Sequence, residues 1–403
     1  MNKAALWRPL DKENISNPYR MYEQLRSTQP VYRSQTNEYI ITRYRDVKQI
    51  LKSPSFESGN RFTWLKRGID YFDNREQDLR AIYQAMNSFI LMLNDEHHMR
   101  IRSFIARTWS NREVDTIIRS NVEMLLREIK GKDFDFVGSY AQPLPVHTIS
   151  AILGVPTTDV QHLIALGTAI TKTLDLYVTL KDLVMINKAA KEFIEYFQEQ
   201  IKIKSDHPDE GLLSKLIQRN KSENAGLTEQ ELVSIAIFLF TAGEETSAGL
   251  ISNAMLALLR HPHQLALLRR SPDLIVPTID EVLRYDSTVQ LLGRISKKPV
   301  TLHNKVIPSG ASITLVVGSA NRDEEVFENA DRFIISRQPN RHLSFGTGVH
   351  YCLGDWLGKR QSQLAIQMFL DRFPEITLPD QELAWYKNIA IRRLNALQIC
   401  VSP

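Results

Sequence analysis

The stretch from Thr228 to Pro262 constrains the fold of this chain more than any other. Thr228 and Glu231 have capping-box spacing, in which each side chain satisfies a free amide of the first helical turn. Pro262 ends the helix after His261. The helix between them is predicted at about 32 residues, or ~48 Å at 1.5 Å rise per residue. Its middle, SIAIFLFTAG, is apolar on every face, as in a helix that crosses a protein interior. That apolar part is far too short to span a bilayer. Within it stand Gly243, Glu244, Glu245 and Thr246, two carboxylates and a hydroxyl that require a reason.

With 403 residues, 43% of them hydrophobic, the chain can bury a large core. No linker, low-complexity tract or internal repeat divides it, so a single domain over residues 1–403 is expected. A net charge of +4 without Lys/Arg blocks argues against a nucleic-acid partner. The first residues have no apolar core of signal-peptide length and no transit-peptide composition. Two cysteines, Cys352 and Cys400, exclude a disulfide framework and a cysteine-rich zinc site. A cytoplasmic monomer without a membrane anchor is expected.

Elsewhere a helix is predicted around Pro18 to Arg26, then an extended pair at Val31–Tyr32 and Tyr39–Ile41. Phe193, Phe197 and Ile201 recur every fourth position and build one apolar helix face. After residue 295 the pattern turns to β. VTLHNKVI reads as a hairpin around Asn304 and Lys305, followed by ITLVVGS. A helix follows Cys352 to about Phe373, and short strands are expected from Ala384 to Val401. The fold class is mainly α with a smaller β-rich region.

Residues 345–354 read FGTGVHYCLG. Glycines at 346, 348 and 354 permit unusual backbone angles and close approach of a flat ligand. A helix N-terminus after Cys352 favours thiolate over thiol, and a metal on the sulfur would displace its proton. Phe345 can shield that sulfur from water. A lone cysteine is more often a buried structural residue. The glycine spacing, with Phe345 and His350, reverses that preference.

The segment resembles the haem-binding loop of the cytochrome P-450 superfamily, Phe-Gly-x-Gly-x-His-x-Cys-x-Gly, with every fixed position filled. ILGVP, EVLR and ANRD extend the resemblance over nearly the whole chain, and it is closest to soluble bacterial members. It implies the cytochrome P-450 fold, with the long helix over a haem b and the cysteine loop beneath it. Cys352 becomes the axial iron ligand, and His350, His98, Arg102 and Arg294 become propionate partners. Ala242, Gly243, Phe345 and Gly354 would lie against the macrocycle. Glu245 and Thr246 become the acid–alcohol pair that supplies protons for O–O cleavage, which thiolate ligation favours over oxygen storage. Glu244 would be its solvent-side or neutral neighbour. Glu281, Arg284 and Arg332 become a buried network with a folding role. Two departures are noted: Ala330 stands where the family usually has proline, and no Pro-Pro precedes the histidine of NDEHHMRIRSF.

By the same resemblance, Phe238, Thr241, Val289, Leu291, Leu292, Ile389 and Ala390 line a substrate pocket, with the loops 61–93 and 174–180. Their apolar character implies a hydrophobic small molecule, hydroxylated or epoxidised with O₂ in secondary metabolism. Electrons would come from a ferredoxin-type donor with its reductase, docking on Arg100, Arg107, Lys359 and Arg360. A peroxide-driven enzyme, or one catalysing rearrangement or coupling, is the competing expectation. The intact Glu245–Thr246 pair ranks it lower.

Overall fold

The computed structural model describes residues 6–59, 79–86, 88–111, 113–156, 160–175 and 178–402. Most of the expected loop 61–93 (residues 61–78 and 87) and residues 176–177 of the second loop lie outside them. The chain divides into two compact units, Met1–Gly59 with Met124–Ala141 and Thr246–Pro403, and Asn60–Glu123 with Gln142–Glu245.

The first unit holds the strands. They are β1 (Val31–Arg33), β2 (Tyr39–Ile41), β3 (Phe56–Glu57), β4 (Asp133–Asp135), β5 (Leu291–Ser296), β6 (Val300–Leu302), β7 (Lys305–Ile307), β8 (Ser312–Val316), β9 (Glu375–Thr377) and β10 (Gln398–Ser402). The main sheet runs β1-β2-β8-β5-β3. Strand β8 is central, parallel to β2 and antiparallel to β5, and four of its five residues are buried. A strand buried on both faces reads as a largely apolar run for this reason. Ile41, Ile313 and Leu315 pack there with Val47, Ile50 and Leu51 of the helix Tyr44–Lys52.

The hairpin β6–β7 forms, but one residue earlier than its sequence suggested. His303 and Asn304 carry the positive φ angles (45° and 61°), and Lys305 already belongs to β7. A two-residue turn of the primed type needs φ > 0 at both positions, which Asn and His tolerate better than Lys. From Ala384 to Leu397 the expected strands reduce to isolated bridges, Val289 to Ile391 and Trp385 to Leu394, before β10. Strand β4 had no expectation, because three residues are too short for a periodic signal. It precedes Phe136, which packs edge-on against Phe369 at 5.0 Å.

The second unit is helical in its described residues. Leu180–Asp206 starts at a capping box of Thr179 and Asp182 and buries Phe193, Phe197 and Ile201, the predicted face. Phe193 and Phe197 meet the Phe240 ring at 5.4 and 6.3 Å. The long helix spans Glu229–Arg260. Its box is present: Thr228 N donates to Glu231 Oε2 (2.8 Å) and Glu231 N to Thr228 Oγ1 (3.1 Å). Pro262 opens the next helix, Pro262–Arg270, where a missing N–H costs nothing. Among the described residues no helix is long and apolar enough to cross a membrane.

Candidate active site

The cysteine loop is fixed by its backbone. Gly346 (φ 69°) and Gly348 (φ 79°) are left-handed, and a Cβ on Gly348 would come 2.8 Å from the Leu51 carbonyl. Cys352 N donates to Phe345 O, and Tyr351 N to Gly348 O, both at 3.0 Å. Cys352 is thereby held, partly accessible, two residues before Gly354, which caps the helix Asp355–Arg372. No protein neighbour demands glycine at 354, since a Cβ there would meet nothing within 4 Å. The position borders open space.

Arg294 supplies a second test of fit. It is 5% exposed, its guanidinium donates to the Gly293 carbonyl at 2.7 Å, and among the described residues no carboxylate pairs with it. Burial alone pushes its pKa down to about 10. A buried cation without an anion is costly, and the carboxylates of a bound cofactor would remove that cost. The donor set suits haem: one thiol, one unneutralised buried guanidinium and a glycine-bounded space.

His342 braces the loop from behind. Its ring lies 5.9 Å from that of Phe345, and Asp280 Oδ1 is 3.5 Å from its Nε2 and 2.7 Å from Lys359 Nζ. Burial holds the His342 imidazole below its usual pKa, against the opposing pull of Asp280. As pH falls below the unfolded value of about 6.5, the unfolded chain takes up a proton that folded His342 resists, so stability declines. The melting temperature should therefore fall between about pH 7.5 and about pH 5.5, and His342→Gln should reduce that fall. An equal fall in the variant would assign it elsewhere.

In the second unit, the helix Asp95–Thr108 separates two adjacent histidines. His98 is 2% exposed, and burial, then the charge of Arg102, lowers its pKa, leaving it neutral at pH 7. Arg102, one turn later, is partly accessible. His97 is turned outward to Glu231 Oε1 at 3.3 Å, and Arg100 pairs with the same oxygen. Arg107 reaches Glu223 at 3.5 Å. Arg100, Arg107 and Lys359 thus each pair with a carboxylate of this chain.

Along the long helix, accessibility returns at one stripe. Phe238, Gly243 and Thr246 are partly accessible and Ala242 is exposed, whereas flanking residues are buried. The spacing 238, 242, 246 is one helix face. Glu245 is fully buried. So is Glu244, which removes the solvent-side alternative of its two expected places: its Oε2 would lie 3.0 Å from a Cβ on Gly167. A Cβ on Gly243 would meet Ile149 at 3.3 Å.

The charge network differs from expectation in one member. Arg284 pairs with Glu281 through Nε at 2.8 Å, both side chains fully buried. Arg332 contributes its carbonyl, which accepts from Arg284 Nη2 at 2.8 Å. The second cation on Glu281 is Arg337 (3.0 Å), not the Arg332 side chain. Three expected pocket residues are packed away: Leu291 and Ala390 are 5% exposed, and Thr241 is 3% exposed with its hydroxyl on the Ile237 carbonyl. Ile389 lines a separate groove with Ile15, Met21 and Trp385. Phe238, Val289 and Leu292 remain partly accessible.

One close approach had no sequence signal. A Cβ on Gly318 would fall 2.0 Å from the Oε1 of buried Gln290. Gly318→Ala should therefore destabilise the protein by about 1–3 kcal/mol, the range for overpacking, measured by urea unfolding. A loss smaller than a few tenths would show that Gln290 yields.

The match to known proteins agrees with this geometry. The cytochrome P-450 family model matches residues 168–277 and 272–386. The biotin biosynthesis cytochrome P-450 of Bacillus subtilis (strain 168) is 33% identical over 394 residues, covering 96% of this chain and 97% of its own. The monooxygenase PikC of Streptomyces venezuelae is 32% identical over 404 residues, covering 97% and 92%. The crystal structure of P450BioI in complex with hexadec-9Z-enoic acid ligated acyl carrier protein superposes with a TM-score of 0.88 at 31% identity, covering 97% and 99%. A fold shared over almost the full length, around a cysteine loop fixed by two left-handed glycines, makes the chain a member of the cytochrome P-450 family, an oxidoreductase family built on haem-thiolate chemistry.

Proposed function

We propose that the protein is a monooxygenase that inserts oxygen from O₂ into a hydrophobic small molecule of secondary metabolism, using electrons from a ferredoxin-type donor. The observation that carries this reading is Cys352, held part-exposed by a loop with two left-handed glycines and followed by an open Gly354. Cys352 would hold the iron of haem b, and Arg294, His350, His98 and Arg102 its propionates. When bound, the haem supplies oxygen activation, with the thiolate favouring O–O cleavage.

The remaining roles belong to side chains. Neutral His98 can donate one N–H to a carboxylate without adding a charge of its own. Buried Arg294 supplies that charge. Glu245 would hold a proton inside the fold and pass it to the Thr246 hydroxyl, which is accessible on the open stripe. Ala242 and Gly243 keep that stripe clear of side chains. Phe238, Val289 and Leu292 would touch the substrate, and their apolar surface favours a hydrophobic one. Names of relatives, among them polyketide and biotin biosynthesis cytochromes, support a secondary-metabolic or acyl-chain substrate class.

The test is optical. Dithionite-reduced protein under carbon monoxide should show the red-shifted Soret band of thiolate-bound haem, and a band at the position of histidine-ligated haem would sink the reading. Thr246→Ala should keep the band yet divert reducing equivalents from product, with coupling down at least about tenfold, since one proton-transfer group contributes about 10²–10⁴-fold in rate. Unchanged coupling would assign proton delivery to other residues.

A further inference from the structure

We infer that the ion pair of Asp280 and Lys359 sets the reduction potential of the iron electrostatically, through the cysteine loop that it backs. This rests on the reading above that Cys352 carries that iron. Asp280 belongs to the helix Ile275–Tyr285, and Lys359 to the helix Asp355–Arg372 that follows the loop. The two helices pack together, and the pair closes between them at 2.7 Å. Its sequence neighbour Glu281 holds Arg284 and Arg337, whereas Asp280 holds Lys359 and meets His342.

Three contacts carry these charges to the loop. Lys359 Nζ lies 5.6 Å from the centre of the Phe345 ring, so the positive end of the pair faces the aromatic that opens the loop. His342 meets both Asp280 and that ring, whose centre is 5.9 Å from its own. Its Nδ1 accepts from the Ser344 N–H at 3.4 Å, which leaves the ring proton on Nε2, toward Asp280. His342 is therefore a neutral dipole, and the net charges come from the ion pair. The Asp280 charge also reaches Tyr351, the residue before Cys352. Burial first, then Asp355, hold the Tyr351 phenol above its usual pKa, and the charges of Cys352 and Asp280 add to this. A carboxylate that acts on Tyr351 acts also on an iron held by the next residue.

Reduction adds one electron to the iron, so a positive charge nearby favours the ferrous state and a negative one opposes it. Paired, Asp280 and Lys359 largely cancel. Alone, each acts unopposed, so their separate removal shifts the potential in opposite directions. Packing damage carries no such sign, because a loosened loop would move both variants alike or neither. The two side chains are 25% and 30% exposed, so solvent screens part of each effect.

Haem-loaded wild type, Lys359→Gln, Asp280→Asn and the double variant are equilibrated without oxygen against a reduced one-electron mediator dye. The dye gives one electron to each ferric iron, and no bond in the chain is made or broken. The measurement is made at about pH 8, where His342, held below its usual pKa by burial, stays neutral. Lys359→Gln should lower the ferrous-to-ferric ratio at a fixed dye potential at least about threefold, or about 30 mV at about 59 mV per tenfold. Asp280→Asn should raise that ratio by a similar factor. The double variant should return to within about 1.5-fold of wild type, as should His342→Gln, which changes no charge. High salt should shrink both single shifts. Single variants that shift in the same direction, or not at all, would overturn the proposal, as would a double variant that keeps a single variant's shift. Dithionite and carbon monoxide should give every variant the wild-type band position, which shows haem held by the thiolate. Where either amide variant loses haem, Lys359→Met or Asp280→Leu makes the same charge change. A wild type without that band instead fails the reading on which the proposal rests.

Discussion

Cys352→Ala is expected to abolish the red-shifted carbon monoxide band completely, while the protein remains folded. Removing the thiol deletes the only soft ligand on the loop, and alanine offers the iron nothing in its place. The loop itself should survive. Its geometry comes from Gly346, Gly348 and the Cys352 N–H bond to the Phe345 carbonyl, none of which needs the sulfur. The side chain is only partly buried, so losing one sulfur atom should cost about 1 kcal/mol or less. Spectrum and stability should therefore separate. Far-ultraviolet circular dichroism and urea midpoint should stay near wild type while the band vanishes. Cys400→Ala is the control, because Cys400 is part of strand β10, paired with β4 and β9, away from any glycine loop. Retention of the band in Cys352→Ala, or its loss in Cys400→Ala, would remove Cys352 as the iron ligand.

What the sequence disclosed follows from how local each feature is. The cysteine loop was readable because ten consecutive residues specify it, with Gly346 and Gly348 each tied to a left-handed backbone position. The long helix was readable because its start, its stop and its apolar run lie in one window. The choice of His98 over His97 came from the resemblance, and of the two rings it is that of His98 that is buried. The misses involve partners that are distant in sequence or are backbone atoms. Arg337 reaches Glu281 across 56 positions, and Arg332 enters through a carbonyl that no side-chain motif can announce. Adjacent carboxylates at Glu244 and Glu245 differ by about 100° around the helix. One would turn to solvent on an ordinary helix, yet both are buried because this helix is packed on nearly every side. The pairing of Lys359 with Asp280 likewise depends on two helices whose packing no single window records.

The same distant partners set the largest stability effect. Glu281→Ala should destabilise the fold by about 3–5 kcal/mol, since it strands charge in the interior. Glu281 is fully buried and accepts from Arg284 Nε and Nη2, Arg337 Nε, Asn340 Nδ2 and the Ile334 N–H. Its removal leaves two guanidinium groups facing an apolar methyl. A typical margin of about 5–15 kcal/mol means that such a loss brings the protein close to unfolding, and haem retention on warming should fall with it. Arg337→Met should cost less, about 1–3 kcal/mol, because Arg284 still neutralises the carboxylate. A buried ion pair can often be exchanged for apolar residues with little loss, but that exchange should fail here. Arg284 also donates to the carbonyls of Asn321, Ala330 and Arg332 at 3.0, 2.7 and 2.8 Å. In Glu281→Met/Arg284→Met the buried Asn321 and Ala330 carbonyls lose their Arg284 donor, while Arg332 keeps only the longer bond from Arg337 at 3.4 Å, so the double variant should stay at least about 2 kcal/mol below wild type in urea unfolding. Recovery to wild-type stability would show that the network serves charge balance alone. Persistent loss would show that Arg284 holds the chain path from Asn321 to Arg332 in place through its backbone bonds.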